Sequence, residues 1–261
     1  LENELGVELF TRTTRRVELT SYGQTFLPYA RTIARTEFEG TSAVKRLQNI
    51  ENGLLTIASI PSMPQYQITM FIAQFQQFYP DTTVRITEDD SNNLLEYLLN
   101  GTCELIFTRE DKLAFEKNFM TNNQIIHIPY IKDRMVALMP TEHPLSCEES
   151  VTLQQLKNEH FCFIKEGSLM HDMCMEACQN AGFIPDIIFT SHRIDSILDM
   201  VTNQDCVALL MDKHMELPDN GPTQINVPWK TIPVSPEINS QISLCYRTDK
   251  PLSNPAQNFV D

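Results

Sequence analysis

The chain has 261 residues, 42% of them hydrophobic, and a formal net charge of −14. A chain of this length can bury a substantial core in one or two domains, and its acidic balance argues against a nucleic-acid-binding surface spread over the whole molecule. Its apolar runs are far shorter than the roughly 20 residues of a membrane-spanning helix, so we expect no membrane partner.

Basic side chains are concentrated at the start of this acidic chain. The first 35 residues carry five arginines: Arg12, Arg15, Arg16, Arg31 and Arg35. Residues 1–19 are interpreted as the end of a helix, a tight turn and a β-hairpin. The asymmetry predicts a small basic contact module joined to an acidic body.

A long helix is predicted for residues 20–52. Thr20 is placed to cap it, because its hydroxyl can accept a hydrogen bond from a first-turn amide. Apolar residues recur at helical intervals: Phe26, Ala30, Ile33, Val44 and Leu47. A solvated helix of this length is best stabilised by a partner, which predicts a dimerising linker, while packing on its own domain is the alternative. Gly40 is expected to be a weak point or bend.

From Gly53 onward, short apolar strands alternate with amphipathic helices. Strands are predicted at residues 53–60, 82–90, 104–110, 160–167, 186–191 and 206–211, and again near the C-terminus. A loop followed by a helix is predicted for residues 61–81, and further helices for residues 91–104, 168–183 and 194–204. Alternation of this kind predicts a parallel sheet built from βαβ units, and therefore an α/β fold.

Two segments are predicted to interrupt this alternation. Residues 125–146 are interpreted as two extended segments separated by a charged turn at Lys132, Asp133 and Arg134. The proline-rich residues 217–236 are predicted to form a peripheral loop.

Hydroxyl side chains occur where the predicted strands end. In a doubly wound sheet, ligands bind beyond the C-terminal ends of the strands, where helix N-termini attract anions. The first strand is predicted to end near Ser59, with Ser62 and Met63 in the following loop, and Thr108 lies near the end of the third strand. We predict ligand contacts from these residues. Alternatively, Ser62 is only a helix cap and Met63 only a core residue.

Further candidate ligand residues precede the two helices predicted for the second half of the chain: Lys165, Gly167, Ser168, Ser191, His192 and Arg193. Gly167 permits close backbone approach, and Ser168 places another hydroxyl at a helix start. Lys165 or Arg193 could neutralise an anionic ligand, although a solvated surface position is the commoner fate of such charges.

The N-terminal segment resembles the back half of the winged helix-turn-helix of LysR-type transcriptional regulators. The family pattern is matched at fixed spacings: Leu1, Glu2, Leu5, Gly6, Leu9, Phe10, Arg12, Arg15, Leu19, Thr20 and Gly23. The chain begins inside this motif, after most of the recognition helix, so we expect it to bind DNA poorly or not at all. The resemblance implies contacts to DNA phosphates from the wing by Arg12, Thr14, Arg15 and Arg16.

The rest of the chain continues this resemblance. Family landmarks occur in order at residues 75–80, 98–104, 143–145 and 178–185. They imply a regulatory domain similar to the two-lobed (type 2) periplasmic binding proteins, with lobe I at residues 53–132 and 234–261 and lobe II at residues 133–233. The resemblance further implies a small anionic or polar effector between the lobes, contacts from the Ser62 loop, a homodimer or homotetramer, and control of transcription at operator DNA.

One segment departs from the family pattern. Many members have glycines where residues 203–211 stand, so effector contacts from this segment are in doubt. Peroxide-sensing relatives place a reactive cysteine near the position of Leu169 and a second one that Cys178 matches. A lone partner cannot close a switch disulfide, which argues against thiol sensing, although Cys162 and Cys174 leave that alternative open.

Other functions have less support. His171, Cys174 and Cys178 share one helix face and could ligate zinc with a fourth group, but free cysteines are more often core residues. Motifs of nucleophile elbows, P-loops, zinc proteases and dinucleotide-binding turns are lacking, so we expect no enzyme, cofactor or metal. A stand-alone solute-binding protein shares the fold and is the alternative function, against which the hairpin argues. The seven irregularly spaced cysteines predict a reduced, cytoplasmic protein.

Overall fold

The computed structural model describes residues 1–12, 16–51, 53–110, 124–215 and 227–261. It begins with a short helix α1 (Glu2–Leu5), a hairpin of β1 (Phe10–Arg12) and β2 (Val17–Leu19), and a long helix α2 (Ser21–Glu51). The strands of the hairpin are antiparallel, and Phe10 is paired with Leu19. The predicted hairpin is therefore confirmed.

Side-chain and backbone hydrogen bonds join the hairpin to α2. The Thr20 hydroxyl accepts from the Gly23 amide at 3.0 Å, which confirms the predicted cap. The Thr20 amide donates to the Leu9 carbonyl at 3.0 Å. These contacts satisfy polar groups that helix formation leaves unpaired and fix the angle at which the hairpin meets the helix.

The helix α2 presents apolar side chains to solvent. It continues without interruption through Gly40. Large hydrophobic residues along it are exposed: Tyr22, Tyr29, Ile33, Phe38, Val44 and Leu47. Exposure of so many apolar groups on one helix is typical of a surface that a partner covers.

The first part of the sheet contains parallel strands: β3 (Leu54–Ser59), β4 (Thr83–Glu88) and β5 (Leu105–Glu110). β3 pairs with both others in parallel, as the βαβ pattern predicts. The helices α3 (Ile68–Phe78) and α4 (Ser91–Asn100) connect these strands, and their buried residues, such as Ile72 and Leu94, enter one hydrophobic core with residues of β3 and β5.

A single long strand, β6 (Ile125–Pro140), replaces the two segments and charged turn that the sequence predicts. Its first part, to Arg134, pairs antiparallel with β11 (Asn239–Arg247). From Met135 onward it pairs antiparallel with β9 (Val207–Met211) and β10 (Trp229–Pro233). The predicted turn is wrong because Asp133 is buried in the strand and hydrogen-bonded, so its charge does not force the chain into solvent.

The remaining strands continue the sheet on the other side of β6. The strand order is β4-β3-β5-β11-β6-β9-β7-β8, with β10 also on β6, where β7 is His160–Ile164 and β8 is Asp186–Ser191. The helices here are α5 (Leu169–Asn180) and α6 (Ile194–Asn203), and α7 (Asn254–Val260) ends the chain on the first side. Because β10 lies within residues 217–236, the prediction of a loop there is wrong for its second half, and residues 216–226 lie outside the described part.

Separate hydrophobic cores lie on the two sides of β6. One contains side chains of β3, β5, β11, α3, α4 and α7. The others contain side chains of β7, β9, α5, α6 and the second half of β6. We call these sides the first and the second lobe. The two-lobed α/β architecture is as predicted, whereas the lobe boundaries at 53–132, 133–233 and 234–261 stay a prediction.

Replacement of Gly23 tests the junction between hairpin and helix. A Cβ there would lie 2.1 Å from the Leu9 carbonyl oxygen and 2.9 Å from a Leu19 methyl carbon, so Gly23→Ala should force the hairpin away. We expect faster hydrogen exchange at the Thr20 amide. Gly40→Ala is the control, because its Cβ would meet nothing within 4 Å and should strengthen the helix by up to about 1 kcal/mol. Equal exchange in the two variants would contradict this packing.

Candidate functional site

The candidate residues of the first lobe lie at the C-terminal end of its parallel strands. Ser59 ends β3 and is fully buried, and no described residue lies within hydrogen-bonding distance of its hydroxyl. Ser62 is half-buried in the loop that follows. Met63 belongs to the core of the first lobe, which favours the packing interpretation of its side chain. Thr108 is buried in β5, and its hydroxyl donates to the Arg109 carbonyl at 3.5 Å.

The candidate residues of the second lobe lie at the starts of α5 and α6. The Ser168 hydroxyl caps α5 by accepting from the His171 amide at 3.1 Å, and it donates to the Lys165 carbonyl at 2.8 Å. Gly167 has φ of +86°, a backbone conformation that glycine adopts without strain. Ser168 therefore has a structural role in this conformation, whatever else it contacts.

The turn before α6 carries the remaining candidate residues. The Ser191 hydroxyl accepts from the Arg193 amide at 3.0 Å. The Arg193 guanidinium pairs with Asp195 at 3.2 Å, and both side chains are largely solvated. His192 and Lys165 are also exposed. The structure thus places the predicted cationic groups at the surface, beside the turns that carry the serines.

Two residues of the first lobe reach across to the second lobe at these turns. The Asp90 carboxylate caps α4 by accepting from the Asn92 amide at 3.0 Å, and the same oxygen accepts from the Leu169 amide, in the first turn of α5, at 3.1 Å. The Asn92 side-chain amide donates to the Gly167 carbonyl at 3.1 Å. The start of α4 in the first lobe and the candidate turn before α5 in the second lobe are therefore in direct contact.

The surroundings of Asp90 partly disfavour the negative charge of its carboxylate. Burial raises the pKa of this carboxyl, while the hydrogen bonds from the Asn92 and Leu169 amides act in the opposite direction and leave a net increase. Partial desolvation of the carboxylate thus opposes its attraction to the helix N-terminus. An anion that was less desolvated at this position than the Asp90 carboxylate could compete with it for the Leu169 amide.

A buried polar network lies where the two lobes meet. The Tyr66 hydroxyl, from the loop after β3, donates to the Asp133 carboxylate of β6 at 2.5 Å and accepts a hydrogen bond from the Arg109 guanidinium. Arg109 also donates to the Ser240 hydroxyl of β11 at 3.0 Å and to Nε2 of His214 at 3.5 Å. At most 8% of any of these side chains is exposed.

The charges of this network are only indirectly compensated. Among the described residues, no carboxylate lies within ion-pair distance of Arg109, and Asp133 reaches it only through Tyr66. Arginine can only donate, so Nε2 of His214 accepts and the ring proton resides on Nδ1. Burial and the neighbouring Arg109 hold the pKa of His214 well below its ordinary value, so the ring is neutral. No described residue lies within hydrogen-bonding distance of its Nδ1.

Sequence reasoning missed Asp90, Arg109, Asp133 and His214 as site residues. Asp90 had a detectable signal, because an acidic residue directly before a polar helix start is typical of an N-cap. Arg109 lies within the buried strand β5 and could have been noticed as a charged residue where solvent is not expected. His214 had no comparable signal, since its neighbours are brought together only by the tertiary fold.

The predicted DNA-contacting residues are only partly described. The backbone of Arg12 belongs to β1, and Arg16 is exposed next to β2. Thr14 and Arg15 lie outside the described residues. The DNA contacts of these residues stay a prediction.

The helix face with cysteines is mainly a core face. Cys174 and Cys178 of α5 are buried in the core of the second lobe, and His171 packs edge-on against Phe163 with 6.1 Å between ring centroids. This is the packing alternative of the sequence analysis.

No helix within the described ranges has both the length and the apolar character needed to cross a lipid bilayer.

Comparison with known proteins agrees with this architecture. Residues 48–261 match the family model described as the LysR substrate binding domain. An uncharacterised HTH-type transcriptional regulator of Escherichia coli K12 is 31% identical over 261 residues, covering 99% of this chain and 78% of the relative.

Solved structures of LysR-type regulators share the fold. A full-length OxyR variant from Pseudomonas aeruginosa is similar with a TM-score of 0.64 at 20% identity, over 100% of this chain and 85% of its own. The regulatory domain of CcmR from Synechocystis, solved in complex with 2-PG, has a TM-score of 0.68 at 15% identity, over 80% of this chain and 94% of its own. At these identities the likeness concerns the fold alone.

Removal of the Tyr66 hydroxyl tests the network at the lobe junction. In Tyr66→Phe the ring is kept, but Asp133 and Arg109 each lose a buried hydrogen-bond partner, so we expect a loss of about 2–3 kcal/mol in the free energy of unfolding. Tyr130→Phe is the control, because it removes one bond at 3.1 Å from a half-buried hydroxyl and should cost only about 1 kcal/mol. Chemical denaturation measures both, and equal losses would count against the network.

Acid titration tests the neutral state of His214. The pKa of His214 is lowered on folding, so below about pH 6.5 the unfolded chain binds a proton that the folded protein excludes. Stability should therefore fall as the pH falls through this range, with a contribution from His214 of up to about 1.4 kcal/mol per pH unit. His214→Gln should make the dependence shallower by that amount. Parallel stability curves for the two proteins would refute this assignment.

Proposed function

The chain belongs to the LysR family of transcriptional regulators, and from that premise we propose that it senses a small anionic effector between its two lobes. The effector-binding domain is a property of the family. The chemical class of the effector and the residues that bind it are our proposal for this chain.

The contact between Asp90 and Leu169 carries the proposal. Amides at the start of a helix lack intrahelical partners and attract negative charge, so they bind carboxylates and phosphates. Here one such amide of the second lobe already holds a carboxylate, which belongs to the first lobe. An effector with a carboxylate or phosphate group would occupy the same position and displace Asp90.

The effector would then be surrounded by the residues that the sequence indicates at the strand ends of both lobes: Ser59, Ser62, Met63, Thr108, Lys165, Gly167, Ser168, Ser191, His192 and Arg193. We add Arg109 and His214, which line the junction below them. The unpartnered Ser59 hydroxyl supports a polar ligand, because a buried hydroxyl without a hydrogen bond is costly. The CcmR domain that holds 2-PG shows that this fold binds a small molecule in another regulator.

Displacement of Asp90 would change the relation between the lobes. The bonds of Asp90 and Asn92 hold the two lobes together at the candidate turns. An effector shifts the equilibrium between lobe arrangements only if it binds one of them better, and an anion that replaces an interlobe contact meets that condition. We propose that the changed lobe angle alters the oligomer and the DNA that it binds.

The remaining parts of the molecule fit this role. The exposed apolar residues of α2, such as Ile33 and Leu47, would be covered in a homodimer or homotetramer. Arg12, Thr14, Arg15 and Arg16 would contact operator phosphates from the wing. We propose a cytoplasmic regulator without enzymatic turnover, and the match to LysR regulators favours this over a stand-alone solute-binding protein.

A screen of small anions against thermal stability tests the effector class. We propose a panel of small carboxylates and phosphate esters, each paired with its uncharged amide or alcohol. At least one anion should raise the melting temperature in a saturable manner while its uncharged pair does not. That anion should also change the footprint of the protein on its operator DNA. If no anion exceeds its uncharged pair, the effector class is wrong.

Asp90→Asn tests the position of the effector. The amide oxygen can still accept from Leu169 but competes less well for the helix N-terminus, so the active anion should bind more tightly, by up to about tenfold. Asp89→Asn is the matched control, because the Asp89 carboxylate bonds with Asn93 and Tyr97 of its own lobe. An affinity that Asp90→Asn leaves unchanged would place the effector elsewhere.

A further inference from the structure

Two cysteine side chains meet in the core of the second lobe. Cys162 lies in the middle of β7, and Cys206 immediately precedes β9. Their Sγ atoms are 3.2 Å apart. All seven cysteines lie in the described part of the chain and all are free thiols. Among the described contacts, this is the only one that joins two cysteine sulfur atoms within hydrogen-bonding distance.

We propose that Cys162 and Cys206 form a reversible disulfide when the folded protein meets a hydroperoxide. A disulfide has its sulfur atoms about 2.05 Å apart, so bond formation must bring these two atoms about 1 Å closer. The proposal concerns a modification site of the second lobe and does not rest on the proposed effector.

The surroundings of Cys206 allow this movement. Cys206 belongs to a turn between α6 and β9, and its amide bonds to the carbonyl of Gln204, two residues before it. Asn203, the last residue of α6, and the turn residues Gln204 and Asp205 are exposed. A turn outside the strand ladder moves and opens at a lower energetic cost than the strands beside it. We therefore expect the turn, and not β7, to move when the two sulfur atoms come together.

The packing around the pair keeps the two sulfur atoms facing each other. Both side chains are at most 1% exposed and belong to a core with Ile197 and Val201 of α6 and Leu210 of β9. Because α6 covers the pair, a small oxidant would reach it through local opening of the turn. A large thiol reagent would be excluded from the folded protein.

The two thiols differ in acidity, and this difference determines which of them reacts first. Burial is the main cause that raises the pKa of both thiols. The hydrogen bond between them lowers the pKa of Cys206 and contributes to the rise of that of Cys162 to about 12. Cys206 therefore supplies the thiolate, and the reaction is slow at neutral pH because little thiolate is present.

The reaction balances with one molecule of peroxide. The Cys206 thiolate attacks one peroxide oxygen, the O–O bond breaks, and the leaving hydroxide takes a proton, which leaves a sulfenic acid on Cys206. The sulfur of Cys162 then attacks the sulfenic sulfur, the S–O bond breaks, and water leaves with the Cys162 proton. Two thiols are oxidised to a disulfide while hydrogen peroxide is reduced to water.

Peptide mapping after oxidation tests the proposal. The folded protein, with the exposed Cys147 replaced by serine in every sample, is treated with hydrogen peroxide, then unfolded, labelled with a maleimide and digested. We expect two fewer maleimide labels and a linked peptide that contains Cys162 and Cys206, both reversed by dithiothreitol. Cys206→Ser should lose the linked peptide, and Cys178→Ser, another buried cysteine of the same lobe, should keep it.

Several results would overturn the assignment. A fully labelled protein after treatment would show that the pair does not react. A linked peptide that joins other cysteines would place the reactive pair elsewhere. A Cys162–Cys206 link that forms only when peroxide is added to the denatured chain would show that the folded geometry does not promote it. Because the parent protein alone distinguishes these results, a poorly folded variant would not obscure them.

Discussion

The two lobes depend on one strand that both of them share. Strand β6 pairs with β11 up to Arg134 and with β9 and β10 from Met135, so the sheets of the two lobes are joined through continuous backbone. A change in lobe angle must therefore bend β6 at this point and the neighbouring entry to β11. The buried carboxylate of Asp133 lies beside that point, and Tyr66 and Arg109 from the first lobe connect to it. Polar groups in a dry junction favour one geometry strongly, because any other arrangement leaves some of them without partners. In the proposed mechanism, the junction would be both the hinge and the element that selects the lobe angle.

Two sets of contacts hold the lobes together, and they differ in their exposure to solvent. The network around Arg109 lies deep in the junction and is nearly inaccessible to water. The contacts of Asp90 and Asn92 lie at the candidate turns and are partly solvated. In the proposed mechanism, an effector would reach the contacts of Asp90 and Asn92 first, where one anion replaces another. It would alter the network around Arg109 through movement of the loop that carries both Ser62 and Tyr66. This loop contains both a predicted effector contact and a residue of the network at the lobe junction. Effector binding could therefore be coupled to the junction through this one loop.

Local sequence patterns predicted the elements of this fold but not the contacts between them. The hairpin, the long helix and most strands followed from turn residues and apolar periodicity, which depend on near neighbours in the chain. The error at residues 132–134 has a clear cause: three charged residues in a row indicate a turn, yet in β6 the side chains of Lys132 and Arg134 point to solvent while Asp133 is buried with partners. The serines could be proposed as ligand contacts because hydroxyls before helices are a local signal. Arg109 was missed because its partners come from positions more than 40 residues away.

The second lobe combines two chemical features on one strand. Cys162 lies in β7 beside Cys206, and the same strand leads directly into Lys165 and Ser168 at the start of α5. The C-terminal end of a strand in a parallel sheet is where a ligand binds, whereas its middle is covered on both faces and is suited to packing. Cys162 therefore lies outside the part of β7 that leads to the proposed effector site, and the two features need not exclude each other. Any influence of one on the other would have to pass along β7 itself, since β7 is the element that contains Cys162 and positions the turn at Ser168.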